Sequence, residues 1–137
     1  MFKFSEKLPL YYYKKSGGKT FLIEVKIGIR DKDFESLSIK GHGGDLKGKD
    51  IVCAAVSAVA QTALGGLLHY GQRYIHWKMK SGILFIKIKK GTTGDVRNSF
   101  NVILTATSIA LKQIAEEYPS RVTISITNRS SFNFQEK

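Results

Sequence analysis

Cysteine and acidic residues are scarce in this sequence. Its 137 residues include one cysteine, Cys53, and 11 aspartates and glutamates against 22 lysines and arginines, which gives a formal net charge of +11. A single cysteine excludes an intramolecular disulfide and any metal site built from several cysteines. The excess of positive charge favours a polyanionic partner, with RNA or a ribonucleoprotein as the first expectation.

Long hydrophobic runs and targeting signals are also lacking. No uninterrupted apolar run approaches the roughly 18–20 residues that a membrane span needs, and no signal-peptide pattern opens the chain. The sequence contains neither a phosphate-binding loop nor a dinucleotide fingerprint. We therefore expect a cytoplasmic protein with no membrane partner, no cofactor and no bound metal.

The sequence does have enough apolar residues for one domain. Hydrophobic residues make up 42% of the chain, which suits a single buried core at this length. We assign this domain to residues 20–127. Residues 1–19 are predicted to be an N-terminal extension, and residues 128–137 a polar C-terminal tail.

The N-terminal extension combines aromatic and basic side chains. Tyr11–Tyr13 are followed by Lys14 and Lys15 and then by the flexible break Ser16-Gly17-Gly18. Such a segment can stack on RNA bases, add an edge strand to the domain, remain flexible, or be an appended sequence. The sequence leaves these alternatives open.

Five segments alternate between apolar and polar residues, which predicts strands. The first two form a hairpin through Asp31–Asp33, and the next two are joined by Ser81-Gly82, a two-residue connection typical of tight hairpins. The last strand is expected to bury Val122, Ile124 and Ile126. The predicted strands are Phe21–Arg30, Phe34–Lys40, Tyr74–Lys80, Ile83–Lys89 and Arg121–Thr127.

Two predicted helices separate these strands. The first, Asp50–Tyr70, is apolar around most of its circumference, so we expect it to be buried on several sides, in a tight core or in a dimer. Gly71 is placed to end it. The second, Val96–Tyr118, carries an apolar stripe at spacings of three and four residues and stops before Pro119. The order β-β-α-β-β-α-β predicts an α+β two-layer sandwich, with both helices on a mixed or antiparallel sheet.

The polar faces of the predicted strands are strongly basic. If the strands share one sheet, its open face is a basic surface on which Glu24 is the only acid we place. This surface either docks on RNA or is an ordinary solvated face. Its predicted basic residues are Lys26, Arg30, Lys40, Lys78, Lys80, Lys87, Lys89 and Arg121.

Cys53 is the candidate nucleophile. A lone cysteine is usually a small buried hydrophobic residue, but Asp50 is a good helix N-cap three residues earlier, which places Cys53 in the first turn. There the positive end of the helix dipole favours a thiolate, and unpaired backbone N–H groups can stabilise an oxyanion. The position of Cys53 therefore predicts two parts of a nucleophilic site.

His42 is the candidate base. It is predicted to end the second strand, at the edge of a glycine-rich loop and eleven residues before Cys53. A strand end beside a helix start can bring both side chains to one edge of the sheet, and a Cys–His pair is the minimum set for thiol proteolysis. His69 and His76 are poorer candidates, because they are predicted to lie at the far end of the helix and on a strand face.

These residues resemble the signature of the ribosomal-processing cysteine protease family, Prp. The matching segments are Gly41-His42 and Gly48-Lys49-Asp50-Ile51-Val52-Cys53-Ala54-Ala55-Val56-Ser57, and the similar order of elements extends over residues 20–127. The resemblance implies a bacterial, homodimeric endopeptidase that removes the N-terminal extension of a large-subunit ribosomal protein. It also implies that Cys53 is the nucleophile and His42 the general base.

Supporting roles remain open for several neighbours. Asp50 either caps the helix and holds the loop or orients His42. Ser57, one turn beyond Cys53, either hydrogen-bonds in the site or bonds back to a helix carbonyl. The loop is either a lid that closes over an extended peptide or a plain connector. Its candidate substrate-loop glycines are Gly41, Gly43, Gly44 and Gly48.

The loop also departs from the family pattern. The family usually has an alanine after the histidine, where this chain has Gly43-Gly44. The loop between the histidine and the cysteine is also one residue shorter in this chain than in the family. Both changes fall in the segment that is expected to admit the substrate.

Two rival functions follow from the same sequence. A non-enzymatic RNA-binding or ribosome-assembly module would explain the charge and the basic face, and would leave the Cys–His pair as an accident. Such a binder should lose affinity steeply with salt and tolerate Cys53→Ala, whereas a protease should keep its fold and lose turnover. A thiol redox sensor is less favoured, because the chain has no resolving cysteine.

Overall fold

The sheet begins with a tight hairpin. The computed structural model describes residues 22–41 and 50–130, and its first two strands are β1, Ile23–Arg30, and β2, Asp33–Lys40. Asp31 and Lys32 connect them with φ angles of 50° and 73°. Positive φ at both central residues is the mark of a type I′ turn, whose twist matches that of the flanking strands. The predicted hairpin is therefore confirmed.

The remaining elements follow the predicted order. They are α1, Ile51–Gly71, a 3₁₀ turn at Gln72–Tyr74, β3, Ile75–Lys80, β4, Ile83–Ile88, α2, Gly94–Glu117, and β5, Val122–Arg129. The end of α1 at Gly71 agrees with the prediction. α2 begins two residues earlier than expected, at Gly94, with Thr93 in the N-cap position but without a side-chain capping hydrogen bond.

The five strands form one mixed sheet in the order β3-β4-β2-β1-β5. β1 pairs antiparallel with β2 and parallel with β5, and β4 pairs antiparallel with both β2 and β3. Alternate strand residues on one face are buried with the inner sides of α1 and α2 in a common core. Both helices therefore cover the same face, and the predicted α+β two-layer sandwich is confirmed.

α2 buries the stripe that its spacing predicts. Phe100, Leu104, Thr107 and Leu111 are buried, and Tyr118 ends the helix at the edge of the core. Near its start, Arg97 Nη1 donates to the Phe34 carbonyl at 2.6 Å. One turn later, the Asn101 side-chain oxygen accepts from the Phe34 N–H at 3.0 Å. These contacts hold α2 against the end of the β1–β2 hairpin.

α1 is buried on one side only. Its buried residues recur every three or four positions: Val52, Cys53, Val56, Ala60, Ala63, Leu64, Leu67 and Gly71. The opposite side, with Ala54, Ala58, Gln61 and Gly65, is exposed. The prediction that α1 is buried on several sides is therefore wrong for the single chain, because the sheet and α2 cover only its inner side.

The segment Ile51–Tyr74 is also long and apolar enough to cross a membrane, and the mean hydropathy of an 18-residue stretch within it is 1.9. In this fold, however, its inner side belongs to the core. Core helices of globular domains reach such values because their buried sides are apolar.

β5 lies at the edge of the sheet, and its burial is less complete than predicted. Val122 is buried and Ile124 is half-buried, but Ile126 is 44% exposed. An edge strand has a neighbour on one side only, so the part of β5 beyond the helices remains open to solvent. The prediction that Ile126 is buried is therefore wrong.

Candidate active site

The first turn of α1 lies at the end of the sheet where β1 begins and β2 ends. Gly41 follows β2, and its N–H donates to the Gly82 carbonyl at 2.6 Å. Its own carbonyl oxygen lies 3.8 Å from Cys53 Sγ. The Ile23 N–H donates to the Arg121 carbonyl at 2.7 Å, which brings the residue before β5 to the same end. The topology thus gathers Gly41, Cys53 and Arg121.

Gly41 has a backbone that favours glycine. Its φ is +100°, and a Cβ added there would lie 2.5 Å from the Leu22 carbonyl oxygen. A larger residue would therefore strain the backbone and push β2 away from the chain entering β1. This close approach sets the position of the Gly41 carbonyl beside the thiol.

Asp50 caps α1. Its Oδ1 accepts from the Val52 N–H at 3.0 Å and from the Cys53 N–H at 3.1 Å, and its carbonyl accepts from the Ala54 N–H at 3.0 Å. The helix begins at Ile51, so Cys53 is its third residue, as the sequence predicts. The capping role proposed for Asp50 is therefore observed.

The same cap alters the expected oxyanion site. The Val52 and Cys53 N–H groups already donate to Asp50, so the expectation of unpaired N–H groups does not hold for these two residues. Of the two features predicted at Cys53, only the positive end of the α1 dipole is therefore available to the thiol in this arrangement. Any oxyanion that uses these N–H groups would first have to displace the Asp50 carboxylate.

The Cys53 thiol itself contacts charged groups. Its Sγ donates to Asp50 Oδ2 at 3.3 Å, and Arg121 Nη2 lies 4.0 Å from the sulfur. The residue is 7% exposed, at the boundary of the hydrophobic core. Cys53 is therefore a buried thiol that lies between a carboxylate and a guanidinium, which is unlike a cysteine that only fills space.

Arg121 is the site residue that sequence reasoning missed. We predicted it on the basic open face, but it is 7% exposed and its Nη2 forms a buried ion pair with Asp50 Oδ2. The prediction is wrong because Arg121 precedes β5 and belongs to the turn after α2, where its N–H donates to the Tyr118 carbonyl at 2.9 Å. The alternation of strand residues between the two faces of the sheet therefore does not determine where the Arg121 side chain lies. A buried Asp50 requires a cation, but among 22 basic residues nothing in the sequence selects this one.

The environment of Asp50 determines its charge. Burial alone would raise the pKa of its carboxyl group. Hydrogen bonds from Arg121 and from the N–H and thiol of Cys53, together with the positive charge of Arg121, outweigh burial, and the pKa lies below its ordinary value. Asp50 is therefore a carboxylate at neutral pH and can accept the thiol hydrogen bond.

The other predicted site residues divide into two groups. His42, Gly43, Gly44 and Gly48 lie outside the described residues. Ser57 is described; it is partly exposed and lies one turn beyond Cys53 on α1. His69 and His76 are exposed, near the end of α1 and on β3. Within residues 22–41 and 50–130, no cluster of histidine, cysteine and acidic side chains is suited to hold a metal ion.

Comparison with solved structures shows where this fold occurs. SMU.848 from Streptococcus mutans is similar, with a TM-score of 0.68 and 23% identity over 80% of this chain and 97% of that chain. The essential ribosomal processing protease Prp from S. aureus, in complex with a substrate peptide, has a TM-score of 0.63 and 22% identity over 77% of this chain and 100% of that chain. The same values hold for that protease in complex with a covalently linked product peptide.

Sequence comparison identifies the family. The curated proteins give no match to this chain. The family model of the cysteine protease Prp matches residues 22–123, a range that includes Asp50, Cys53 and Arg121 and covers most of the chain. The chain therefore belongs to the Prp family of cysteine proteases.

Proposed function

We propose that this protein is a cysteine endopeptidase that removes the N-terminal extension of a large-subunit ribosomal protein in the bacterial cytoplasm. The observation that carries the proposal is the placement of Cys53 in the first turn of α1, within 4.0 Å of the Arg121 guanidinium and hydrogen-bonded to Asp50. The fold shared with a ribosomal processing protease that binds a substrate peptide supports the choice of substrate.

Cys53 and His42 perform the chemistry in this proposal. The Cys53 thiol gives its proton to His42, and the thiolate attacks the scissile carbonyl carbon to form a C–S bond. The C–N bond then breaks as His42 returns the proton to the leaving amine, and water hydrolyses the resulting thioester. The residue before His42 supports the pairing, because the Gly41 carbonyl oxygen lies 3.8 Å from Cys53 Sγ.

Asp50 and Arg121 act as positioning residues. The carboxylate accepts the thiol hydrogen bond and so orients Cys53 before the attack. The guanidinium neutralises the carboxylate, and its positive charge stabilises the thiolate once the thiol proton has left. Without Arg121, the negative charge of Asp50 would oppose formation of the thiolate.

We further propose that the enzyme is a homodimer. The outer side of α1 is exposed although it is largely apolar, and it includes Ile51, Ala54 and Ala58. A charge in the middle of this side, as in Ala58→Glu, is expected to give a monomer in sedimentation analysis, whereas Lys112→Glu on α2 should not. A monomeric parent protein would contradict the homodimer.

The test of the activity uses the unprocessed large-subunit ribosomal protein from the same organism, followed by intact mass. The parent protein should make a single N-terminal cut. Cys53→Ala and His42→Ala should abolish it, and His69→Ala, which changes an exposed histidine, should leave the rate unchanged. Circular dichroism of each variant controls for folding. No cleavage by the folded parent, or cleavage that survives Cys53→Ala, would reject the proposal.

A further inference from the structure

The face of the sheet that points away from the helices is basic. We call it the open sheet face. Among the described residues it carries five exposed lysines: Lys26, Lys40, Lys78, Lys80 and Lys87. Glu24 is an exposed acid on the same face, while Glu35 forms an ion pair with Arg30 at 3.4 Å. The lysines therefore dominate the charge of this surface.

An aromatic ring lies among these lysines. Phe85 of β4 is 43% exposed, on a strand that has neighbours on both sides. It pairs with Lys78 of β3 and with Ser38 of β2, and Ser38 in turn pairs with Lys26 of β1. Strands lie about 4.8 Å apart, so this row from Lys78 to Lys26 spans roughly 14 Å, with the ring inside it.

The neighbours of the ring on the β2 side are small. Ser38 lies directly beside Phe85, and the adjoining row continues from Lys87 through Ser36 to Gly28. Gly28 has no side chain, and Ser36 Oγ lies 2.4 Å from where a Cβ at Gly28 would be. No large side chain from these positions covers the ring, so a flat group can reach it from this side.

We propose that the open sheet face binds single-stranded RNA, with Phe85 stacking on a base and the surrounding lysines contacting phosphates. The lysines alone would suit any polyanion. The exposed ring favours a single strand, because the unpaired bases of a single strand offer flat faces on which the ring can stack. A duplex buries these faces between its base pairs, and an acidic peptide has none. This binding is additional to proteolysis.

The two activities occupy opposite sides of the sheet. Cys53 belongs to the core on the helix-covered side, whereas Phe85 and the lysines lie on the open side. Lys40 is the last residue of β2 and directly precedes Gly41, so the basic surface reaches the end of the sheet where the thiol lies. RNA bound on the open face would leave the helix side accessible to a peptide.

The test measures binding of the full-length protein to a fluorescent 12-nucleotide oligouridylate by anisotropy, at several salt concentrations. Phe85→Ala is expected to weaken binding about tenfold or more, while Phe85→Tyr, which keeps the ring, restores it. Tyr70→Ala is the matched control, because Tyr70 is also exposed but lies near the end of α1. Lys78→Ala should lower the slope of log affinity against log salt by about 0.7, and Lys112→Ala on α2 should not.

The comparison ligands are duplex RNA of the same length and poly-glutamate. Preference for the single strand, lost in Phe85→Ala and kept in Cys53→Ala, supports the proposal and separates it from the peptidase activity. Equal affinity for all three ligands would overturn it in favour of nonspecific polyanion binding. Absence of binding by the parent, or binding unaffected by Phe85→Ala, would also overturn it.

Discussion

The carboxylate of Asp50 and the guanidinium of Arg121 form a buried ion pair across 71 positions of sequence. The same carboxylate caps α1 and accepts the thiol hydrogen bond of Cys53. One ion pair thus joins the turn before β5 to the start of α1, at the point where the candidate nucleophile lies. Changes to this pair should therefore affect both folding and catalysis.

Arg121→Met is expected to destabilise the protein by roughly 3–5 kcal/mol, because it leaves the buried charge of Asp50 without a partner. Urea unfolding measures the change. Arg73→Met serves as the control, since Arg73 is exposed on the 3₁₀ turn. The double variant Asp50→Asn with Arg121→Met should recover much of the lost stability but not the peptidase rate. A single Arg121→Met variant as stable as the parent would show that the pair contributes little.

The ion pair also predicts the response to acid. Because the pKa of Asp50 is lowered in the folded state, its contribution to stability is fully present above the unfolded carboxyl pKa of about 3.9. That contribution is lost as the pH falls through the lower folded pKa. The stability advantage of the parent over Asp50→Asn, measured by urea unfolding, should therefore be constant near neutral pH and shrink as the pH falls below about 4. Exposed Asp95 provides the control variant, Asp95→Asn, and a pH-independent advantage would contradict this account.

Gly41→Ala should lower both stability and the cleavage rate, because the added Cβ would lie 2.5 Å from the Leu22 carbonyl oxygen and displace the carbonyl that faces Cys53. Gly91→Ala is a matched control: Gly91 also has a positive φ, of +84°, but a Cβ there meets nothing within 4 Å. We expect Gly91→Ala to cost about 1 kcal/mol from backbone strain and to leave kcat unchanged. Similar cleavage rates for the two variants would show that Gly41 has no role in the active site.

Two glycines of α1 should respond in opposite directions to alanine. At Gly71 a Cβ would lie 2.7 Å from Phe100 Cζ and 2.7 Å from Val96 Cγ1, so Gly71→Ala should destabilise the packing of α1 on α2 by about 1–3 kcal/mol. At Gly65 a Cβ meets nothing within 4 Å, so Gly65→Ala should stabilise the helix by up to about 1 kcal/mol. Thermal unfolding distinguishes the two, and a stabilising Gly71→Ala would refute the close helix approach.

Local patterns predict much of this fold. Alternation over Ile23–Ile27 and the spacing of Phe100, Leu104 and Leu111 are set by strand and helix periodicity, and the structure follows both. The position of Cys53 in the first turn also follows from local chemistry, because the Asp50 side chain bonds the N–H groups two and three residues later. Local patterns do not predict which side chains are covered by elements that lie far away in the sequence. Ile126 and the outer side of α1 were predicted to be buried, but both are exposed.

The sequence by itself determined the elements, their order and the placement of the thiol at a capped helix start, because these depend on interactions between residues within a few positions. Only the tertiary structure decided that Arg121 is buried beside Asp50 and Cys53 and that the exposed Phe85 lies between the strands that carry the lysines of the open sheet face. The physical reason is that a buried carboxylate needs a cation nearby in space, and chain folding alone selects which of many basic residues reaches it.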